Sequence, residues 1–177
     1  MIVNLLSTDE WSTVRERPGW NIKRFKLGGK LGGELLSAGL FEVPPGASTF
    51  PYHYHYGDEE LLIVLTGRPT LRGPDGERRL APGDCTIFRR GPEGGHLLRN
   101  DDEEAVRLVI VSTRSDLELC VYPDSGKFSA WAGHTRSEDG APLIDTVALL
   151  ANANLDYWED EGDDPAAREK TPFPGSS

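Results

Sequence analysis

The sequence predicts an all-β sandwich or barrel, and three features point that way. Short apolar or alternating runs follow one another between positions 35 and 122. They are separated by turn-forming residues, in a chain that carries 20 glycines and 13 prolines. No amphipathic helical run interrupts them.

Residues 1–34 form an N-terminal extension of mixed character, in which Trp11 and Trp20 need burial. Its Gly28-Gly29-Lys30-Leu31 lacks the Ser or Thr that a phosphate loop carries after Lys, so it reads as a turn. Residues 35–43 end at Pro44-Pro45-Gly46. Residues 48–56 alternate aromatics with two histidines, and 60–66 end at Gly67. Residues 68–72 and 77–80 are joined by the hairpin turn Gly73-Pro74-Asp75-Gly76. Pro82-Gly83-Asp84 leads into 85–89. Residues 95–99 and 105–112 are split by the charged turn Asn100–Glu104, in which the Asn100 side chain is expected to cap the turn, and 117–122 close the series. That is eight or nine strands, and their edges have to be closed, paired or covered. A C-terminal extension, 123–158, is expected to pack on the barrel. Residues 159–177 are expected to form an acidic, mobile tail.

Composition narrows the function classes. A length of 177 residues suits one domain. The net charge of −10 argues against nucleic acid and against an anionic membrane surface. Mean hydropathy is −0.45, and no apolar run approaches the roughly 20 residues that cross a bilayer. The start, Met1 to Trp11, has no basic segment and reaches Asp9 and Glu10 early, unlike a signal peptide. A cytoplasmic location follows as the expectation. Cys85 and Cys120 lie in strand-like runs without metal spacing and read as two buried thiols of a reduced compartment.

One constellation carries chemistry. The histidines are 53, 55, 96 and 134. His53 and His55, two apart in an extended segment, point to one face. Glu60 begins the next strand, and His96 follows about forty residues on, after a turn. Three imidazoles and a carboxylate converging in a barrel suit one divalent transition metal: Fe, Mn, Ni, Zn or Cu. No thiolate belongs to the set, which argues against a soft metal. Strand alternation lets only one of Glu59 and Glu60 face inward. His134, among Gly133, Thr135 and Arg136, reads as a surface residue.

The segment His53-Tyr54-His55, four residues, Glu60, six residues, Gly67 resembles the first motif of the cupin superfamily. The run from Gly83 to His96, followed after three residues by Asn100, resembles the second. The resemblance implies a double-stranded β-helix (jelly-roll) barrel over 35–122, flanked by N- and C-terminal extensions. It also implies that His53, His55, Glu60 and His96 ligate a metal inside it; the spacing to Gly67 selects Glu60 over Glu59. Gly46 lies one residue further upstream of the first His than in the family pattern, and Gly91-Pro92-Glu93-Gly94 is slightly shifted. Val121-Tyr122-Pro123-Asp124-Ser125-Gly126-Lys127 and Asp156-Tyr157-Trp158 are similar to a group of single-domain bacterial cupins, some of them labelled sugar-phosphate isomerases. Cupin sugar isomerases carry a Tyr soon after the ligand Glu, where this chain has Leu61, Leu62 and Ile63. Cupins of this size commonly form homodimers.

The remaining expectations concern the pocket. Leu62, Val64 and Phe88 are candidates for the barrel lining. Phe50, Tyr52, Tyr54 and Tyr56 are expected on the face opposite the ligands. Either Arg89 or Arg90 can point inward to bind a carboxylate or phosphate. Asp124 and Lys127 fit a turn closed by a salt bridge. The function expected is a metalloenzyme acting on a small polar metabolite by isomerase or dioxygenase-type chemistry, with Glu59 or Glu93 as a candidate base. The alternative is a non-catalytic module that binds or senses a small molecule.

Overall fold

A computed structural model describes residues 1–132 and 144–152. The strands of the N-terminal extension are β1 (Thr13–Arg15) and β2 (Ile22–Lys26), followed by a five-residue helix, α1 (Leu27–Leu31). Then come β3 (Leu36–Val43), β4 (Tyr54–His55), β5 (Glu60–Thr66), β6 (Thr70–Gly73), β7 (Gly76–Arg79) and β8 (Cys85–Phe88). The order continues with β9 (Leu97–Arg99), β10 (Val106–Thr113), β11 (Leu117–Tyr122), β12 (Lys127–Ala132) and β13 (Ile144–Leu149). Among the described residues no helix is long and apolar enough to cross a membrane.

One sheet has the order β1-β2-β3-β10-β5-β8, antiparallel throughout. The opposing layer comprises β7-β6-β9 and β4-β11-β12-β13. Backbone bridges His53 to His96 and Ser48 to Arg99 join these two pieces into one continuous face. Neighbours far apart in sequence, such as β10 between β3 and β5, make this a jelly roll.

The central strands are apolar on both faces because both faces are covered. Phe41, Leu62, Val64, Leu108 and Ile110 point into the barrel, where Ile22, Phe88 and Leu98 join them. Leu40 and Val109 point outward with Phe25 and Leu27, under Val3, Leu5 and Trp11 of the N-terminal segment. Trp11 therefore finds its burial on the outer face of the sheet. The expected barrel lining of Leu62, Val64 and Phe88 is what the structure shows.

Three local expectations are corrected. The glycine stretch read as a turn is α1, closed by Gly32 in the left-handed conformation. Gly28 lets that helix lie against β3: a Cβ there would stand 2.9 Å from the Ala38 nitrogen. The segment 48–56 keeps a strand ladder only at Tyr54–His55, because Pro51 has no N–H to donate. Cys85 is exposed rather than buried. It shares the outward face of the edge strand β8 with exposed Ile87, while Phe88 faces in.

Two motif positions are explained by backbone geometry. Gly67 has φ +76°, and a Cβ there would stand 2.7 Å from a Val106 methyl. Asn100, fully buried, donates to the carbonyls of Val43 (2.9 Å) and Glu104 (2.8 Å) and accepts from the Asp102 N–H (3.1 Å), so it caps the turn as expected. Gly67→Ala is expected to lower stability by about 1–3 kcal/mol through its positive φ and the Val106 contact. Urea unfolding measures this, and an unchanged midpoint would contradict it.

Candidate metal centre

His53 and His55 enter the barrel from the second layer, held by the bridge to His96 and by the pairing of β4 with β11. Glu60 comes from the opposite sheet, where its register partners are Ser112 on β10 and Phe88 on β8. Glu60 projects inward, and Glu59 is exposed, its amide bonded to the Thr113 hydroxyl at 2.9 Å. His96 follows a tight turn in which a Cβ at Gly94 would overlap the Arg89 backbone, and its ring stacks on Phe88 at 3.7 Å. All four expected residues thus meet in one place. The His53 ring lies 5.0 Å from His55 and 4.5 Å from His96.

Each imidazole uses Nδ1 for a hydrogen bond to an oxygen that accepts. His53 Nδ1 donates to the Pro51 carbonyl (2.8 Å), His96 Nδ1 to the Gly94 carbonyl (2.9 Å), and His55 Nδ1 to Glu118 Oε1 (3.3 Å). That pattern places a proton on Nδ1 of each ring and, in the neutral imidazole, leaves the Nε2 lone pair to face the site. Glu60 Oε2 lies 3.2 Å from His96 Nε2 and 3.6 Å from His55 Nε2. The Glu60–His96 approach lacks hydrogen-bond alignment, so both atoms are buried without a hydrogen-bond partner. Bonds of about 2.0–2.2 Å to a shared ion put neighbouring ligand atoms about 3–3.5 Å apart. The donor set therefore fits a metal ion, and His53, Glu60 and His96 form a group that can hold one.

The electrostatics favour the ligand forms of His53 and Glu60. Burial, reinforced by His96 and His55, pushes His53 down to about 3, so it stays neutral. Burial opposes charge on Glu60, but the close imidazoles outweigh it and hold the carboxyl below its usual range. Burial acts against the His55 cation as well; the Glu118 hydrogen bond and the Glu60 charge overcome it and raise this imidazole. A cation would compete with that proton for Nε2.

Sequence reasoning did not find Glu118 or the position of Cys120. Glu118 is fully buried on β11, and one of its oxygens has no hydrogen-bond partner. Gly57 makes the room, since a Cβ there would stand 2.5 Å from Glu118 Oε2. Cys120 pairs with His55 across the ladder, and its sulfur lies within 4.8 Å of ring nitrogens of His53 and His55. Burial pushes this thiol up to about 12. A sulfur thus borders a site that looked purely nitrogen and oxygen in sequence. The available signal was alternation: positions 118, 120 and 122 share a face of β11.

The site opens into a cavity of about 780 Å³. Arg89, Arg90 and Glu93 are exposed and do not line it, and neither does Glu59, so none of these expected pocket residues is in place. The arginines that do line it are Arg15 and Arg24 of the N-terminal strands and Arg114. Phe50 lines the cavity too, 6.0 Å from the His53 ring, rather than the opposite face, because the irregular chain around Pro51 breaks the alternation. Asp124 pairs with Arg72 (2.6 Å), not with Lys127, which faces the cavity. His134 lies outside the described residues.

Residues 39–112 match the family model described as "Cupin domain". Among solved structures, a candidate sugar phosphate isomerase from Acidithiobacillus ferrooxidans is 25% identical, with a TM-score of 0.67, over 78% of this chain and 82% of that one. A sugar phosphate isomerase of the cupin superfamily from Silicibacter pomeroyi is 24% identical, also with a TM-score of 0.67, over 77% and 81%; at that identity it shows the fold alone. The polyketide cyclase RemF from Streptomyces resistomycificus is 26% identical, with a TM-score of 0.53, over 64% and 78%. No curated protein matches in sequence.

Glu118→Gln is expected to weaken divalent-metal affinity about 10–100-fold, because the carboxylate orients and polarises His55. Competition with a chromophoric chelator reads this directly, and an unchanged affinity would remove Glu118 from the account.

Proposed function

Taking the barrel of residues 39–112 as a cupin domain, we propose that His53, His55, Glu60 and His96 hold one divalent transition metal, and that the protein is a metalloenzyme acting on a small polar metabolite. The observation that carries this reading is the set of buried ligand atoms without hydrogen-bond partners, Glu60 Oε2 and His96 Nε2, at the wall of an open cavity. Leaving such atoms buried and unsatisfied costs free energy unless something binds them.

When bound, the ion supplies a Lewis acid for a substrate oxygen or, with a redox-active metal, a site for dioxygen chemistry. The chain's own residues do the rest. Phe41, Phe50 and Tyr122 wall the cavity, and Phe88 fixes the His96 ring. Tyr122 keeps its proton, since burial pushes it up to about 12, so it offers a neutral O–H near the ligands. Asp58 is engaged by the Ser115 amide (2.7 Å) and the Thr113 hydroxyl (3.2 Å).

Isomerase-type chemistry is the first activity to test, since the neighbour from Acidithiobacillus ferrooxidans carries that name and Tyr122 and Asp58 bring a hydroxyl and a carboxylate to the cavity. Dioxygenase-type chemistry belongs to the same proposal for a redox-active ion. A homodimer is part of it too, supported by the exposed apolar residues Leu117, Ile144, Val147 and Leu149 of β11 and β13.

The test is turnover by protein loaded separately with Zn, Mn and Fe(II), offered phosphorylated aldoses without oxygen and small hydroxy acids with it. Products are followed by NMR and by oxygen uptake. Conversion that falls to background in His96→Ala is expected. A compound that raises the melting temperature but is recovered unchanged with every metal would replace the enzyme by a binding module.

A further inference from the structure

The metal cluster occupies one part of the cavity wall; the N-terminal strands furnish another. Register puts both arginines on the inward face. Arg24 pairs with Phe41 of the barrel core on one side and with Thr13 on the other. Arg15 pairs with buried Ile22, two residues from Arg24, so Arg15 and Arg24 are diagonal neighbours on that face. The Arg24 guanidinium lies over the Phe41 ring at 5.4 Å, and Arg15 lies over Phe50 at 5.5 Å. Gly39 leaves the space for this arrangement: a Cβ there would stand 2.8 Å from the Phe41 ring and 3.2 Å from Arg24 Nε.

Among the described residues neither arginine has a carboxylate within ion-pair distance, and the Glu60 charge acts on Arg24 only from further off, whereas four arginines of the outer surface are paired. Arg72 is held by Asp124, Arg79 by Asp102, Arg99 by Glu77 and Asp101, and Arg107 by Glu42. Arg24 is half-buried, yet its Nε is buried without a hydrogen-bond partner. A guanidinium removed from water in this way gains most from an anion with paired oxygens. The wider lining agrees. Among the described residues, Lys26, Arg114 and Lys127 also face the cavity, against the acids Asp58 and Glu60 alone. Asp58 is already hydrogen-bonded and Glu60 faces the imidazoles. In a chain of net charge −10, this pocket is a local reversal of sign, which draws anions in.

We propose that Arg15 and Arg24 form a subsite for a compact anionic group, a phosphate or a carboxylate, on the small molecule that enters this cavity. The other end of that molecule faces the histidine cluster, and this part of the assignment rests on the metal-centre reading. The N-terminal strands are then specificity elements that give the barrel its preference for an anionic substrate.

The experiment is isothermal titration calorimetry with inorganic phosphate, malonate and uncharged glucose. It uses the purified protein both metal-loaded and stripped with chelator, and it compares the wild type with Arg15→Gln, Arg24→Gln, the double variant and an Arg89→Gln, Arg90→Gln control. Wild type and control are expected to bind one of the anions and not glucose. The double variant is expected to bind it at least about tenfold more weakly. Metal content should stay unchanged, and Arg dependence should persist in the stripped protein. Stronger binding of phosphate assigns a phosphoester, and stronger binding of malonate assigns a carboxylate. Arg15→Gln, on an exposed strand, keeps the test usable if Arg24→Gln fails to fold. A wild type that binds neither anion, or variants that bind as tightly as the wild type, would overturn the subsite. Arg-dependent binding in a protein that takes up no metal would instead remove the metal centre and leave the subsite standing.

Discussion

The backbone bridge between His53 and His96 is the contact on which the rest depends. The His53 N–H donates to the His96 carbonyl (3.2 Å), and the His96 N–H donates to the His53 carbonyl (2.9 Å). This pair of bonds joins the two pieces of the second layer, and it also sets two ligand candidates side by side. Glu60 reaches them from the opposing sheet because β5, buried on its inner face by Leu62 and Val64, cannot slip by one residue without turning those side chains out. Packing and site geometry are therefore one constraint. The barrel that buries the core also holds three lone pairs and a carboxylate together.

The proton inventory around the site follows from the same backbone. The carbonyls of Pro51 and Gly94 accept only, so they hold His53 and His96 with Nδ1 protonated and Nε2 bare. Glu118 does the same for His55 from a strand that sequence distance conceals, 63 residues away. The candidate ligand face is thus prepared by groups outside the candidate ligand set.

Much of this was legible in the sequence, and the remainder has identifiable causes. Alternation and turn residues locate the strands from β3 to β11, since a jelly roll buries period-two patterns between Gly- and Pro-rich turns. Histidine spacing locates the residues that meet at the site. Alternation fails where the backbone is irregular: Pro51 interrupts the ladder, and Phe50 turns into the cavity. It also fails for Arg89 and Arg90, which the tight turn before His96 leaves outside. Arg15, Arg24 and Cys120 could not be assigned to the pocket, nor Glu118 to the support of His55, because their places depend on which strands pair. A local pattern in one chain does not encode the β1-β2-β3 and β4-β11 ladders.

The metal site is tested by the metal content of the protein beside a His53→Ala, His96→Ala double variant, each measured by elemental analysis after anaerobic loading and desalting. About one equivalent of Fe, Mn, Ni, Zn or Cu is expected in the wild type and none above background in a folded variant. A wild type that retains no metal, or a variant that retains as much as the wild type, would contradict that site.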